Sequence, residues 1–392
     1  MINNMINITD KKNCCGCGAC AQSCPVGCIS MTADEEGFLY PTVDAARCVD
    51  CGLCNRVCPI LNRGEVPENI KVYAAVCNDE EVRRTSSSGG VFTLLAEQVL
   101  AQGGAVFGAA FDENFAVHHV MIERREDLHL VKGSKYLQSR IENTYAEAEK
   151  ILKSGRFVLF SGTGCQIAGL KNFLKREYNS LYTIDVFCHG VPSPAVWQKY
   201  LDAKKEAYQS KINHVNFRYK VPSWRGYSVK VSFDNGEESC VGHGDDDYIK
   251  LFLSEICLRP SCYDCKFRES SSGADLTIGD AWGVENWMPH MDDNKGTSVV
   301  VVNTEKGQKL WDAIQGQLRS EEGDSKVILS NNPVFMGSVK PHPNRKKFFA
   351  AFASGASMDA LVALAKKPLW RRGLSFAKRC VKKLLKLCGV RI

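Results

Sequence analysis

The sequence predicts a protein that combines α+β and α/β architecture: a small cysteine-rich domain precedes a larger mixed α/β domain, and a basic helical tail ends the chain. Ten of the 19 cysteines lie within residues 14–58, which marks the small domain. Strand patterns alternate with helical patterns after residue 70. Positive charge accumulates at the end of the chain. We therefore expect domains at residues 1–67, 68–345 and 346–392.

The composition is that of a folded protein. The 392 residues are 44% hydrophobic and 24% charged, which predicts at least one sizeable core and excludes a disordered or collagen-like chain. The sequence has no run of about 18 apolar residues, and its first residues lack the basic and apolar blocks of a signal peptide. We expect a cytoplasmic protein that is neither secreted by that route nor membrane-spanning.

The cysteines of the first domain follow one spacing twice. Cys-x-x-Cys-x-x-Cys-x-x-x-Cys-Pro describes both runs, which consist of Cys14, Cys17, Cys20 and Cys24, and of Cys48, Cys51, Cys54 and Cys58. This spacing is typical of a bacterial-type ferredoxin with two [4Fe-4S] clusters, in which the fourth cysteine of each run ligates the other cluster. The predicted ligand sets are Cys14, Cys17, Cys20 and Cys58 for one cluster, and Cys24, Cys48, Cys51 and Cys54 for the other.

Two alternatives for these cysteines are weaker. Disulfides need an oxidising compartment, and the N-terminus contains no export signal. Zinc sites share the Cys-x-x-Cys spacing, but they generally use paired cysteines and do not require the prolines that follow each run. Cys15 and Cys28 lie outside the pattern and are predicted to be small core residues. The segment between the two runs is predicted to form a short pair of strands.

The middle of the chain is predicted to alternate strands with helices. Strands are expected over 71–77, 105–111, 117–122, 157–160 and 181–187, and helices over 91–101, 145–153 and 167–177. A glycine-rich turn, SGTGCQ at 161–166, follows one strand and opens a helix. Such a turn suits an anionic group such as a pyrophosphate, although it is also a common packing device.

A second group of cysteines is scattered through this region. Cys165, Cys188, Cys262 and Cys265 together can supply the ligands of a third [4Fe-4S] cluster. The alternatives are a nucleophilic Cys165, a core Cys188, and a Cys262–Cys265 pair that forms half of a zinc site. Spacing alone leaves these possibilities open.

Seven segments, in order, carry a family resemblance: SSSGGVF at 86–92, KGSKY at 132–136, SGTGCQ at 161–166, CHGVPSP at 188–194, LRPSCYDCKF at 258–267, DLTIGDAWG at 275–283 and KGTS at 295–298. Together with the ferredoxin repeat, they resemble the coenzyme F-420 hydrogenase/dehydrogenase beta-subunit family over residues 14–314. The resemblance implies an iron–sulfur flavoprotein oxidoreductase with FAD in a mixed α/β flavin-binding domain. It also favours the third cluster.

The resemblance places the expected flavin contacts in three loops. They are Ser87, Ser88, Gly89 and Gly90 in the first loop, Ser134, Lys135 and Tyr136 in the second, and Gly162, Thr163, Gly164 and Gln166 in the third. Gly164 stands where relatives commonly carry proline, which leaves Cys165 in register but loosens the turn.

The substrate that the resemblance implies is a small organic molecule or a deazaflavin-type coenzyme. His189 and Asp280 are the predicted proton donors, because they lie in motifs expected near the flavin. Their alternative roles are a hydrogen bond beside a cluster for His189 and a turn cap for Asp280. The competing hypothesis is a non-enzymatic electron-transfer subunit that serves a separate catalytic partner. In both cases we expect a redox partner protein, such as a ferredoxin or a dehydrogenase subunit, and no nucleic acid.

The last 27 residues, 366–392, contain ten Lys or Arg and no acidic residue. Their apolar residues recur every three or four positions, which predicts a basic amphipathic helix. Such a helix can lie against anionic headgroups at the inner face of the membrane, or its apolar stripe can pack on the body of the protein.

Overall fold

The computed structural model describes residues 4–366. The predicted basic helix lies almost entirely at 367–392, outside the described residues, so its membrane contact stays a prediction. The described part contains 13 strands: β1 Ile29–Ala33, β2 Leu39–Val43, β3 Lys71–Cys77, β4 Ala105–Phe111, β5 Val117–Ile122, β6 Val158–Gly162, β7 Leu181–Val186, β8 Ile212–Tyr219, β9 Ser228–Phe233, β10 Glu238–Gly242, β11 Leu276–Asp280, β12 Ser298–Val302 and β13 Leu318–Glu322.

The same residues form 15 α-helices: α1 Ala19–Gln22, α2 Leu53–Arg56, α3 Glu80–Thr85, α4 Val91–Leu100, α5 Leu128–Val131, α6 Thr144–Lys153, α7 Gly164–Leu174, α8 Pro194–Tyr208, α9 Asp247–Leu253, α10 Val284–Trp287, α11 Glu305–Asp312, α12 Ser325–Ser330, α13 Pro333–Met336, α14 Arg345–Ala353 and α15 Met358–Ala365. Among residues 4–366, none of these helices combines the length and the apolar character needed to cross a membrane.

The cysteine-rich region repeats one local arrangement. Gly18 and Gly52 each adopt a positive φ, 73° and 67°, and each starts a one-turn helix, α1 or α2. Left-handed backbone favours glycine, and here it lets each cysteine loop turn sharply between its second and third cysteines. The connector forms the antiparallel pair β1–β2, with Ile29 opposite Val43, as predicted.

An eight-stranded mixed sheet forms the centre of the larger region, in the order β13-β3-β12-β11-β7-β6-β4-β5. The neighbours β4, β6, β7 and β11 are parallel, whereas the remaining pairs are antiparallel. The prediction of a mixed α/β region is therefore confirmed. Because parallel strands end at the same edge, the segments after Gly162, Val186 and Asp280 come together there.

One predicted helix is displaced along the chain. The helix expected over 167–177 spans Gly164–Leu174. A capping box explains the earlier start. The Thr163 side chain accepts from the backbone amide of Gln166, and the Gln166 side chain accepts from the backbone amide of Thr163. Lys175, with φ 58°, ends the helix in the left-handed conformation.

A three-stranded antiparallel sheet, β10-β9-β8, packs with α8, α9, α14 and α15 around a second core. Phe348 and Leu361, which lie beyond the predicted boundary at residue 345, are buried in this core with Trp197. Residues 346–365 therefore pack against the middle of the chain. The three-domain division itself stays a prediction.

Candidate functional site

One predicted cluster site lies at the surface of the cysteine-rich region. We call Cys24, Cys48, Cys51 and Cys54 the outer cysteine set, and all four line one cavity. Cys51 is exposed to solvent, and its neighbour Val49 is 59% exposed. Cys28 is buried, as predicted, and its Sγ lies 3.4 Å from the Cys24 Sγ. A redox group bound here would be accessible to a partner protein.

Cys14, Cys17, Cys20 and Cys58 form the inner cysteine set. Burial, together with the neighbouring Cys14 and Cys58, raises the pKa of the Cys20 thiol to about 12. Cys58 belongs to the second run in sequence but lies beside the first loop in space. This is the crossed arrangement that a two-cluster ferredoxin requires.

The cysteine side chains of residues 4–366 do not converge on a single point. Within residues 4–366, no three His, Cys, Asp or Glu side chains are placed to hold one metal ion. A four-iron cluster is much larger than one ion, so its cysteines surround a volume rather than converge on a point.

The four scattered cysteines also come together. We call Cys165, Cys188, Cys262 and Cys265 the third cysteine set. Burial raises the pKa of the Cys188 thiol, and Cys262, Cys165 and Cys265 add to this effect as neighbouring thiols. Burial likewise raises the pKa of Cys262 to about 12, with Cys265 and Cys165 again beside it. Cys165 lies in the first turn of α7, and Cys188 follows β7.

The inner and third cysteine sets are in contact through one residue. The buried Cys15 thiol raises the pKa of Cys165 by a hydrogen bond, and burial of Cys165 adds to the effect. Cys15 also lies beside Cys17 of the inner set, in the same packed cluster. Cys15 is thus a small buried residue, as predicted, and it separates the two cysteine sets by a single side chain.

A buried arginine joins two of the three predicted flavin loops. Arg218, on β8, is 5% exposed, and its Nη1 donates to the Tyr136 hydroxyl at 3.2 Å and to Asp280 Oδ2 at 2.9 Å. Its Nη2 donates to the Ser87 carbonyl at 3.2 Å. We call Arg218 and these three partners the Arg218 centre. The centre connects the first two loops to the end of β11.

Direct contacts reinforce this assembly. The Ser134 amide donates to Ser87 Oγ at 2.7 Å, which ties the second loop to the first. The Gly89 amide donates to Ser298 Oγ at 2.9 Å. A Cβ at Gly89 would lie 2.4 Å from the Ala75 carbonyl oxygen, so only glycine permits this close approach to β3.

The third predicted loop is hydrogen-bonded to Ser139, three residues beyond the second loop. The Gln166 side-chain amide donates to the Ser139 carbonyl at 3.0 Å. His119 Nδ1 hydrogen-bonds Ser139 Oγ at 2.7 Å, and its Nε2 hydrogen-bonds the Ser161 carbonyl at 2.9 Å. Burial lowers the pKa of His119 to about 4, so this imidazole is neutral near pH 7. The network of the first two loops is thus joined to the third loop through the chain segment that runs from Tyr136 to Ser139.

The network contains an excess of positive charge. Lys132, Lys135 and Lys220 have no carboxylate within 4 Å among residues 4–366. Burial lowers the pKa of Lys135 to about 8 and that of Lys220 to about 7. The Lys220 ammonium donates to the carbonyl oxygens of Arg83, Ser88 and Lys295 at 2.6–2.8 Å. Lys132 and Lys135 are partly buried and lack a carboxylate partner in this part of the chain, which fits an anionic group such as a cofactor phosphate, whereas the three contacts of Lys220 hold neighbouring loops together.

The two predicted proton donors have different surroundings. Both carboxylate oxygens of Asp280 are occupied, by Arg218 and by the Trp224 indole N–H at 3.1 Å, which favours a role in holding Arg218. His189 Nε2 lies 3.5 Å from Glu255 Oε1, and the ring packs edge-on against Phe252. Phe252 in turn stacks on Tyr136, with ring centroids 5.0 Å apart. Phe252 thus lies between His189 and Tyr136 of the second loop, and the contacts of His189 do not include Asp280.

Sequence reasoning missed Arg218, Lys220 and Arg259. Arg218 lies near the end of β8, and Lys220 directly follows the strand. Arg259 falls within the LRPSCYDCKF segment, whose cysteines alone were considered. The burial of Arg259 is what indicates a functional role, and the sequence alone does not predict that an arginine is buried.

Comparison with known proteins assigns the chain to a family. Two models of the coenzyme F420 hydrogenase/dehydrogenase beta subunit match it, the N-terminal model at residues 72–144 and the C-terminal model at 155–326. A 4Fe-4S dicluster domain model matches residues 13–61. The coenzyme F420-dependent sulfite reductase of Methanocaldococcus jannaschii is 25% identical over 320 residues, which are 79% of this chain and 47% of that protein.

The chain therefore spans about half the length of this curated relative. Among solved structures, a chain of the F420-reducing [NiFe] hydrogenase complex of Methanosarcina barkeri matches with a TM-score of 0.47 and 17% identity. That match covers 74% of this chain and 95% of the other. Because both family models match, the chain belongs to the coenzyme F420 hydrogenase/dehydrogenase beta-subunit family, with a 4Fe-4S dicluster domain at its N-terminal side.

Proposed function

We propose that the protein is an iron–sulfur flavoprotein oxidoreductase that passes electrons between three [4Fe-4S] clusters and FAD. Its substrate is a small organic molecule or a deazaflavin-type coenzyme. The outer, inner and third cysteine sets are the proposed ligands of the three clusters. A bound flavin supplies the exchange between single electrons and hydride pairs, which clusters alone do not perform.

One observation carries this proposal: Cys15 contacts both Cys17 and Cys165. Thiols of the inner and third cysteine sets are therefore separated by one buried side chain. Cys165 also follows directly on the Gly162–Gly164 turn, which belongs to the third predicted flavin loop. The cysteine sets and the loop network are thus continuous through the protein.

The loop network is the proposed flavin site. Lys132, Lys135 and the Ser87–Gly90 loop would hold the anionic part of the cofactor. Arg218 keeps Tyr136 and Asp280 in place, and its own position is held by both. His189 remains the proposed proton donor, since its ring packs against Phe252, which stacks on Tyr136 of the second loop. For Asp280 we propose a positioning role.

Electrons exchanged with a partner would enter or leave at the outer cysteine set, where Cys51 is exposed. The relative from M. jannaschii is about twice as long as the matched region, so part of that protein has no counterpart in the match. This favours a second candidate function, a non-enzymatic subunit that delivers electrons to a separate catalytic partner. Bound flavin distinguishes the two functions.

The test is anaerobic purification of the full chain, with iron, sulfide and flavin measured on the same sample. Three clusters correspond to about twelve irons per chain, and we expect one FAD with them. The double variant Cys188→Ser, Cys262→Ser should retain about eight irons. Cys240→Ser, at an exposed thiol outside the three cysteine sets, is the matched control and should retain the full iron content.

About eight irons and no flavin in the unaltered protein would overturn the flavoenzyme proposal and favour the electron-transfer subunit. A full iron content in the double variant would exclude the third cysteine set as cluster ligands.

A further inference from the structure

Arg259 is the most deeply buried cation near the proposed clusters. Its side chain is 0% exposed, and it reaches across the boundary between the cysteine-rich region and the rest of the protein. Nε donates to the Cys14 carbonyl at 2.9 Å, and Nη2 lies 3.6 Å from the Cys14 Sγ. Nη2 also donates to the Leu39 carbonyl at 2.8 Å, and Nη1 donates to Gln138 Oε1 at 2.9 Å.

The charge of this guanidinium is not neutralised by the protein. Every acceptor around it is a carbonyl, an amide oxygen or a thiol, and no carboxylate lies within 4 Å among residues 4–366. The rings of Tyr40 and Phe38 cover it, with centroids 4.3 and 5.5 Å away. A buried, unpaired cation is costly unless a negative group compensates for it.

The main chain of Arg259 belongs to the loop of the third cysteine set. Its carbonyl accepts from the Cys262 amide at 2.9 Å, and its own amide donates to the Val191 carbonyl at 2.9 Å. Arg259 therefore connects two loops. Its backbone is hydrogen-bonded within the Cys262 loop, and its side chain contacts the Cys14 loop.

The Cys14–Cys17 loop is shaped around this side chain. Gly16 has φ 70°, and a Cβ there would lie 2.8 Å from Arg259 Nη1 and 2.5 Å from Gln138 Nε2. Glycine at this position lets the guanidinium lie directly against the loop.

We propose that Arg259 is a positioning residue that raises the reduction potential of the cluster in the inner cysteine set. The negative group that compensates for its charge is that cluster with its thiolate ligands. One-electron reduction adds one negative charge to the cluster, and a nearby buried cation stabilises the reduced form more than the oxidised form. The inference rests on the proposed function, because it requires a cluster at the inner cysteine set.

The third cysteine set has a guanidinium of its own. Arg268 Nη1 donates to the Cys188 carbonyl and, at 2.6 Å, to the Val334 carbonyl. The side chain of Arg259, in contrast, contacts Cys14. The main effect of Arg259 is therefore expected on the inner cluster, with a smaller effect on the third.

The experiment is an EPR-monitored redox titration of the anaerobically purified full-length protein. Arg259→Gln removes the positive charge. Gln138→Glu leaves the arginine in place and neutralises it with a carboxylate at the position of an existing hydrogen bond. Each variant should shift the one-electron equilibrium of one cluster at least tenfold toward the oxidised form, which lowers its potential by about 59 mV or more.

Two matched variants keep the charge. Arg259→Lys retains a cation, and Gln138→Met removes the hydrogen bond without adding charge, so both should shift the equilibrium less than threefold. If Arg259→Gln does not assemble its clusters, Gln138→Glu decides the question, because it retains every donor of the arginine.

Unchanged potentials in a variant that has lost or neutralised the charge and still contains all its iron would overturn this inference. That result would leave the proposed function intact, since the function is judged by the iron and flavin content of the unaltered protein. Absence of a cluster from the inner cysteine set in the unaltered protein would overturn both.

Discussion

The outer cysteine set and the Arg218 centre are the two ends of the proposed electron route, and they differ in solvent access and in origin. Cys51 is exposed beside Val49, whereas Arg218 is 5% exposed. Three of the four cysteines in the outer set, Cys48, Cys51 and Cys54, lie within seven consecutive residues. The Arg218 centre assembles residues from four separate elements.

The difference has a functional meaning. An exposed redox group can exchange electrons with a partner that docks on the surface. A buried centre excludes water, which strengthens the electrostatic interactions that hold and orient a bound molecule. The following predictions test this contrast.

The largest expected effect concerns the Arg218 centre. Arg218→Met should lower the free energy of unfolding by about 3–5 kcal/mol, because it leaves the Asp280 carboxylate largely buried without its cation. Denaturant unfolding of the anaerobically purified protein measures this effect. The double variant Arg218→Met, Asp280→Leu should recover part of the loss, since the unpaired charge is then absent. A loss below about 1 kcal/mol in the single variant would show that the centre is not held by this ion pair.

A second prediction concerns the pH dependence of stability at the buried end. Burial lowers the pKa of His119 to about 4 in the folded protein, from the ordinary value of 6.5. Between these values the unfolded chain binds one more proton than the folded one, so stability falls as the pH decreases from about 6.5 to 4. This group should contribute up to about 3 kcal/mol to that loss.

His119→Gln should therefore flatten the stability profile over this pH window, measured by denaturant unfolding at several pH values. His118→Gln is the matched control, because His118 is adjacent but only partly buried. The difference between variant and unaltered protein is the relevant quantity, since burial raises the pKa of Asp185 to about 6 and gives a contribution of opposite sign. Equal slopes in all three proteins would contradict the prediction.

The smallest effect on stability is expected at the exposed end. Val49→Asp should change the free energy of unfolding by less than about 0.5 kcal/mol, because the side chain is 59% exposed. It should slow electron transfer from a reduced bacterial-type ferredoxin several-fold, while reduction by dithionite remains fast. Val327→Asp, 45% exposed on α12, is the control and should leave both rates unchanged. Equal ferredoxin rates in the two variants would place the docking surface elsewhere.

Local sequence patterns were sufficient to predict many structural features of this protein. The two cysteine runs, the glycines within them and the β1–β2 connector follow from spacing over fewer than 50 residues. Strands β3, β4 and β5 follow from their apolar patterns and have the predicted bounds. These features depend on residues that are close together along the chain. They can therefore be predicted from the periodicity or the spacing of those residues.

The joining of these parts was decided by the tertiary structure. Arg218 meets Asp280 across 62 residues, and Arg259 meets Cys14 across 245. Arg259 lies in the LRPSCYDCKF segment, but neither its sequence nor that of Arg218 shows that the side chain is buried. Their roles arise from burial and from partners brought close by strand order and loop packing. The energetic cost of burying a charge depends on the folded surroundings, and only the folded chain contains that information.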